Sequence, residues 1–412
     1  MKARYNRLKH TPYNRRVDTD YVVVDADSDV IVAGAGIIGL STALELADAG
    51  LRVTVVERAS CMRDASWAAA GMLAAGDPEN PLALKELADL SLSLYPAYLR
   101  RVEELSGRDV PFRTSITLQA TRLGERFDPF HLIGRKISSL QALQVVPHLA
   151  TVGREFSFLE EASLDPRDLC AALPTAAKAA GVRVIEDTTV IAVASLPGRG
   201  VEVRTSRGKF LTNNFVNCAG AWASDIARLA PNSFRQKGSH GDSAESLPIS
   251  PRKGQMVAVR VDDGAALACV LRAPEIYLVP RGDGRILIGA TVEDAGFDKL
   301  VEPAKVHALL ASAAALWPPI ASATILESWA GLRPWSPDGL PIIGPGDCVS
   351  EDSASDNSGF TSPSQWVATG HFRNGILLAP ATARLICQLV RGVATEIDVA
   401  PFSGDRFAPI LL

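Results

Sequence analysis

The sequence predicts an α/β protein of two domains, on three observations. A glycine-rich turn sits between an apolar run and an Ala/Leu-rich segment near the start. A second β-branched run then leads into an acid. Further along, several hairpin and strand signals have no alternating helices between them. The chain's 412 residues are enough for two cores.

The first stretch, Asp29 to Arg58, organises the rest. Val30 to Ala33 reads as a strand, Gly34-Ala35-Gly36-Ile37-Ile38-Gly39 as a turn into a helix that ends at Gly50, and Val53 to Val56 as a second strand. Each part has a mechanical task. Gly34 permits the tight turn, Gly36 lets backbone approach a pyrophosphate, and Gly39 lets helix pack on strand. Unpaired N–H groups at the helix start hold phosphate charge. Glu57 lies 23 positions past Gly34 (57−34), near the usual ~20, where a carboxylate accepts from ribose hydroxyls. The pattern is a Rossmann-like dinucleotide cradle, and by itself it leaves NAD and FAD equally open.

Bulk composition excludes several classes. The apolar fraction of 47%, charged fraction of 21% and net charge of −4 describe an ordinary globular chain with no nucleic-acid footprint. The six cysteines (Cys61, Cys170, Cys218, Cys269, Cys348, Cys387) form no CxxC pair and read as buried thiols in a reducing cytoplasm. The histidines form no metal-ligand spacing. No apolar run approaches the ~20 residues of a membrane span. Residues 1–28 are basic but lack an apolar core, so they read as a flexible extension rather than a signal peptide.

Along the chain, Ala65 to Leu73 is a run of small residues able to lie against a flat ligand. Leu82 to Leu105 is an amphipathic helix, Pro111 to Ala120 one strand, and Leu140 to Pro147 a helix and its stop. Asp165 caps a helix that begins with Pro166 and ends at Gly181. Strands follow at Val182 to Glu186 and Val190 to Ala194, and Ser206-Arg207-Gly208 joins Val201–Arg204 to Lys209–Leu211 in a hairpin. Phe215 to Trp222 is a buried strand running into a small-residue turn. Pro231 to Ser250 reads as loop, Gln255 to Val261 as strand. Arg281-Gly282-Asp283-Gly284 closes a hairpin within Glu275 to Thr291. Ala304 to Leu316 is helical, Glu327 to Pro345 loop-rich with an Arg in an apolar setting, and Gly346 to Ser364 a mobile loop. A strand over Trp366 to Gly370 and a helix over Ile376 to Leu389 complete the chain.

In this order the segments resemble the D-amino-acid-oxidase-like flavoproteins, above all the glycine oxidases of thiamine biosynthesis. The resemblance rests on GAGIIG with Glu57, SWAAAGML (Ser66 to Leu73), YLVPRGDGRILIGAT (Tyr277 to Thr291), WAGLRPWSPDGLPIIG (Trp329 to Gly344) and GHFRNGILLAPAT (Gly370 to Thr382). It implies FAD, held non-covalently because the cysteine link of the sarcosine-oxidase type has no clear counterpart here. It implies that Ile37, Ile38, Glu57, Arg58, Ser66, Ala70, Gly71, Met72, main chain near Val190, and His371, Phe372, Arg373, Asn374, Gly375, Ile376 and Leu377 hold that cofactor. Arg333 would bind a substrate carboxylate through its planar fork, with Tyr277 and Arg373 lining the pocket. The sequence departs from the family pattern at Glu275, where histidine is common, and at Val292, where methionine is.

The fold so implied is a discontinuous FAD-binding domain (29–107, 156–246, 327–412) and a substrate domain (108–155, 247–326) built on a large, mostly antiparallel sheet. The activity implied is oxidation of glycine by O₂ to glyoxylate, ammonia and hydrogen peroxide. Sarcosine, proline or a D-amino acid are alternative substrates, and a carrier-coupled dehydrogenase is an alternative class. A cytoplasmic homotetramer is the family expectation.

Overall fold

The computed structural model describes residues 28–124, 134–196, 199–228, 246–261, 266–274, 276–346 and 364–407. The N-terminal extension, most of the Pro231 to Ser250 loop, Glu275, and the Gly346 to Ser364 loop apart from its two end residues lie outside them.

Among the described residues two large sheets, of nine and eight strands, carry the fold. In the first, of nine strands, Ser28–Ala33 lies between Gly208–Asn217 and Val53–Val56, parallel to both. Arg183–Ile185 and Ser364–Thr369 extend the parallel part, and Val190–Leu196 with Gly200–Thr205 form an antiparallel flank. Being covered on both faces, Val30 to Ala33 and Val53 to Val56 are apolar, Thr54 excepted, and buried throughout. Val30, Val32, Val53 and Val55 share a core with the helices Ile37–Asp48, Lys85–Ser106, Pro166–Ala179 and Gly375–Val390. Ile31, Ala33 and Val56, on the other face, meet Val193, Val203 and Phe210. Asp165 caps its helix as expected, accepting from the Arg167 N–H at 3.0 Å.

The second sheet has eight strands in the order Thr324–Trp335, Ser250–Arg260, Arg285–Gly289, Ile276–Pro280, Val270–Ala273, Thr117–Arg122, Arg154–Leu159, Arg135–Ile137. All neighbours are antiparallel except Val270–Ala273 beside Thr117–Arg122. One face packs Val257, Val259, Leu278 and Ile288 against Val306, Leu309 and Leu316 of the helix Pro303–Leu316. The other face is left for the site.

Four local expectations are corrected. Pro111 to Ala120 is two strands, Phe112–Thr114 and Thr117–Arg122, which enter different sheets. Lys209–Leu211 and the strand from Phe215 are one strand, Gly208–Asn217. The strand expected from Gln255 begins at Ser250. Glu327 to Pro345 is not loop-rich: Thr324–Trp335 is a twelve-residue edge strand paired along its length with Ser250–Arg260. Its Pro334 faces Pro251, and proline is tolerated at a sheet edge because no ladder donor is missed there.

Candidate active site

A cavity of about 650 Å³ runs from the first turn of the parallel sheet to the free face of the second sheet. At its first end, Gly34 has φ +98°, and a Cβ there would lie 2.5 Å from the Cys218 carbonyl oxygen. Only glycine makes this turn without moving the neighbouring strand end. A Cβ on Gly39 would lie 1.9 Å from the Gly34 carbonyl oxygen, so the helix sits directly on the turn. The helix begins after Gly36, whose lack of a side chain leaves the helix start without a side-chain cap of its own. Ser66 supplies one acceptor from across the cavity edge, its Oγ 2.9 Å from the Ile37 nitrogen. Glu57 Oε2 accepts from the Ala35 N–H at 2.7 Å and Oε1 from the Ala59 N–H at 3.0 Å, and the carboxylate lines the cavity. Arg58 pairs with Asp64 at 3.1 Å and stacks on the Trp222 ring, 3.3 Å from its centroid.

The small-residue run forms a strap along the middle of the cavity. After the short helix Ala65–Ala68 it extends, and Met72 bridges to Ser163. Gly71, at φ +80°, lies so close to the next segment that a Cβ would stand 2.1 Å from the Leu164 carbonyl oxygen. Trp329 Nε1 donates to the Ala68 carbonyl at 3.1 Å. Arg281 is 3% exposed. Its Nη2 donates to the Ala70 carbonyl at 2.8 Å, its Nη1 to that of Leu164 at 3.2 Å, and its Nε faces Asp165 at 3.4 Å. Burial lowers its pKa to about 10, so it stays charged. In the sequence Arg281 reads as a turn residue. Its one visible signal was an arginine closing the apolar strand Ile276–Pro280.

At the far end one row of side chains crosses the second sheet. Gln119, Arg272, Tyr277, Gly289, Met256 and Trp329 are successive register partners. Partners share a face, so all six stand on the cavity side, about 4.8 Å apart. Tyr277 leans over Gly289, where a Cβ would meet its hydroxyl at 2.6 Å. Arg333 leans over Gly254, where a Cβ would meet Nη1 at 2.1 Å. Arg333 Nη1 donates to the Thr291 carbonyl at 3.0 Å. That residue is held by the Gln255 N–H on its hydroxyl at 2.8 Å and by Glu293. Burial raises the Tyr277 phenol's pKa while the facing Arg333 charge opposes the rise, so the hydroxyl keeps its proton at neutral pH.

The segment after the strand Ser364–Thr369 closes the cavity. His371 is 2% exposed, its Nε2 3.0 Å from Thr382 Oγ1 and its Nδ1 without a hydrogen-bond partner among the described residues. Burial lowers its pKa to about 3, so the ring is neutral. Phe372, Asn374, Gly375 and Ile376 also line the wall.

Of the residues singled out from sequence, Gly34, Gly36, Ile37, Ile38, Glu57, Arg58, Ser66, Ala70, Gly71, Met72, Val190, Tyr277, Arg333 and His371 to Ile376 meet at this one cavity. Gly39 and Leu377 stand behind its wall. Arg373 lines the cavity with its guanidinium on Asp77, at 3.1 Å, and Glu79. Val292 is exposed at the rim. Arg272, Gln119 and Arg281 were not singled out.

A glycine turn under a helix start whose own N-cap residue makes no side-chain cap, a buried acid after the next strand and, on the same wall, an imidazole nitrogen unpartnered among the described residues fit a dinucleotide. The second sheet closes the far end with an arginine. Fold and site together define a dinucleotide-dependent oxidoreductase of two domains. Residues 29–389 match the family described as FAD dependent oxidoreductase, and the chain belongs to it. It is 35% identical to the glycine oxidase of Pseudomonas aeruginosa, over 91% of this chain and 98% of that protein. It is 33% identical to the bifunctional protein ThiO/ThiG of Trichormus variabilis, over 92% of this chain and 55% of that longer protein. The crystal structure of glycine oxidase from Geobacillus kaustophilus has a TM-score of 0.77 at 31% identity, covering 91% of this chain and 98% of that one. Among the described residues no helix is long and apolar enough to cross a membrane, and no group of side chains could hold a metal ion.

Proposed function

We infer that the protein is an FAD-dependent amino-acid oxidase that acts on glycine, giving glyoxylate, ammonia and hydrogen peroxide, and that it serves formation of the thiazole of thiamine. The observation that carries this reading is the placement of Arg333. Its guanidinium lies on the floor of the cavity beside Tyr277, with Nη1 committed to the Thr291 carbonyl and the rest of its fork available. A planar fork of donors binds a carboxylate in one orientation.

FAD, when bound, supplies the hydride acceptor at its N5 and passes the electrons to O₂. The chain's own residues do the positioning. Glu57 has lone pairs left for ribose hydroxyls after its two backbone bonds, and the first turn of the helix Ile37–Asp48 offers N–H groups to the pyrophosphate. The strap Ser66 to Met72, pinned by Arg281 and Trp329, gives the flavin ring a flat wall of small residues. Arg333 holds the substrate carboxylate, and Tyr277 covers its other side. A substrate with a neutral amine expels hydride with its own nitrogen lone pair, so the site needs orientation more than a strong base. Arg373 faces two carboxylates, which favours Arg333 as the group that meets the substrate.

We extend the reading to a cytoplasmic homo-oligomer, a tetramer by family expectation. The test is peroxide production by the FAD-loaded protein with glycine, sarcosine, D-alanine and proline in turn. Glycine should give the highest kcat/KM. Flavin that glycine reduces but air reoxidises only slowly would replace the oxidase with a dehydrogenase.

A further inference from the structure

Beyond Tyr277, on the next strand of the sheet, the cavity wall carries a second polar cluster. Arg272 is the next residue in the cross-sheet row, on the same face as Tyr277 and directly opposite it. It lines the cavity and is 4% exposed. Its Nε donates to Gln119 Oε1 on the adjoining strand. Nη1 is ion-paired with Glu161 Oε2 at 3.1 Å and with Asp77 Oδ2 at 3.6 Å, but among the described residues it makes no hydrogen bond. Among the described residues Nη2 makes no hydrogen bond either, and Glu161 Oε2 accepts none beside its ion pair. Glu161 is used on its other oxygen, which accepts from the Gly76 N–H at 3.0 Å. Buried donors are nearly always satisfied by protein, water or ligand, because leaving them bare costs the full desolvation of the group.

We propose that Arg272 is a specificity-determining residue whose two Nη groups donate to a neutral acceptor oxygen (hydroxyl, ether or carboxamide) carried on the substituent of a small amino acid held by Arg333. The assignment rests on the oxidase reading above. Charge decides between a neutral acceptor and a second carboxylate. Three carboxylates, Asp77, Glu79 and Glu161, face two guanidiniums, Arg272 and Arg373. Burial raises the proton affinity of Glu161 against the opposing charge of Arg272, which brings the cluster toward neutrality but gives it no positive excess. A second carboxylate entering there would find no net countercharge and would lose its hydration. A neutral oxygen takes the same N–H groups without that cost.

The test compares isosteric pairs: N-(2-hydroxyethyl)glycine against N-propylglycine, and N-(carbamoylmethyl)glycine against N-isobutylglycine. Glycine and iminodiacetate are run alongside. The oxygen-bearing member of each pair should be favoured in kcat/KM by about tenfold or more, mostly through KM. Arg272→Met alone would strand Glu161, so the double variant Arg272→Met with Glu161→Gln is made as well. In it the ratio within each pair should fall to about one while FAD content stays whole. Arg272→Lys, which keeps charge but loses the fork, should fall between. Ratios near one in the native protein, or preserved in the double variant, overturn the assignment. Iminodiacetate as the preferred member overturns it too, since the wall would then be reading charge. Glycine turnover with flat ratios would sink Arg272 alone. Absence of turnover with every substrate would sink the oxidase reading, and this assignment with it.

Discussion

The guanidinium of Arg333 occupies the space above Gly254, with Nη1 2.1 Å from where a Cβ would stand. The two residues lie on adjacent strands, Thr324–Trp335 and Ser250–Arg260, two residues apart in register, since Gly254 pairs with Gly331 and Arg333 with Arg252. A flexible side chain is thereby pressed flat onto the sheet and aimed along the floor of the cavity. Gly289 does the same for Tyr277. Two bare positions in the sheet thus shape the pocket as much as the side chains that lie over them.

Gly254→Ala should therefore damage substrate recognition without emptying the flavin site. The added methyl meets the guanidinium well inside contact distance, so Arg333 must move. A misplacement of that size costs about a hundredfold in kcat/KM, and overpacking costs about 1–3 kcal/mol of stability. Steady-state kinetics together with the flavin-to-protein ratio check this. Native kinetics in the variant would show that the fork is not held by this contact.

Arg281→Met should loosen the strap. It removes donors to the Ala70 and Leu164 carbonyls and strips Asp165 of its buried partner. Breaking such a pair costs about 3–5 kcal/mol. Arg285→Met, in the same hairpin but on an exposed pair with Asp283, should cost within about 0.5 kcal/mol. Denaturant unfolding and FAD titration of the two variants give the comparison, and equal losses would contradict it.

Stability should fall in acid because of His371. The native state holds the ring neutral down to about pH 3, whereas the unfolded chain protonates it at the ordinary value of 6.5. Between those values the unfolded state binds the extra proton, so stability drops as pH falls from 6.5, by up to about 1.4 kcal/mol per pH unit. His371→Asn should flatten that part of the stability–pH curve, measured by urea unfolding. A slope equal to that of the native protein would remove His371 as its source.

The dinucleotide cradle was legible because its demands are local. A turn, a bare helix start and an acid after the second strand are each set by a few neighbouring residues. The strand Thr324–Trp335 was not, because Gly331 and Pro334 read as loop punctuation. In the fold, Gly331 is bare because a Cβ would lie 2.5 Å from that of Ala68, and Pro334 is tolerated at the edge. Ser250–Arg260 was shortened for the same reason: Pro251 and Gly254 face Pro334 and Gly331. Arg272 and Arg281 look like ordinary strand and turn arginines in sequence. Their burial arises only when the strap and the segment Glu161–Asp165 close over the sheet, a contact between distant parts of the chain. The resemblance placed Arg333 in the pocket, but the glycine it lies over is visible only in the strand register.

The central claim, that Arg333 orients an amino acid for hydride transfer, is tested most directly by mixing the FAD-loaded protein with glycine without oxygen and following the flavin absorbance. The native protein should bleach, and Arg333→Ala, with FAD still bound, should bleach roughly 10² to 10³ times more slowly at low glycine, as loss of about 3–4 kcal/mol implies. Bleaching of the variant at the native rate, or native flavin that neither glycine nor any other small amine reduces, would contradict the account.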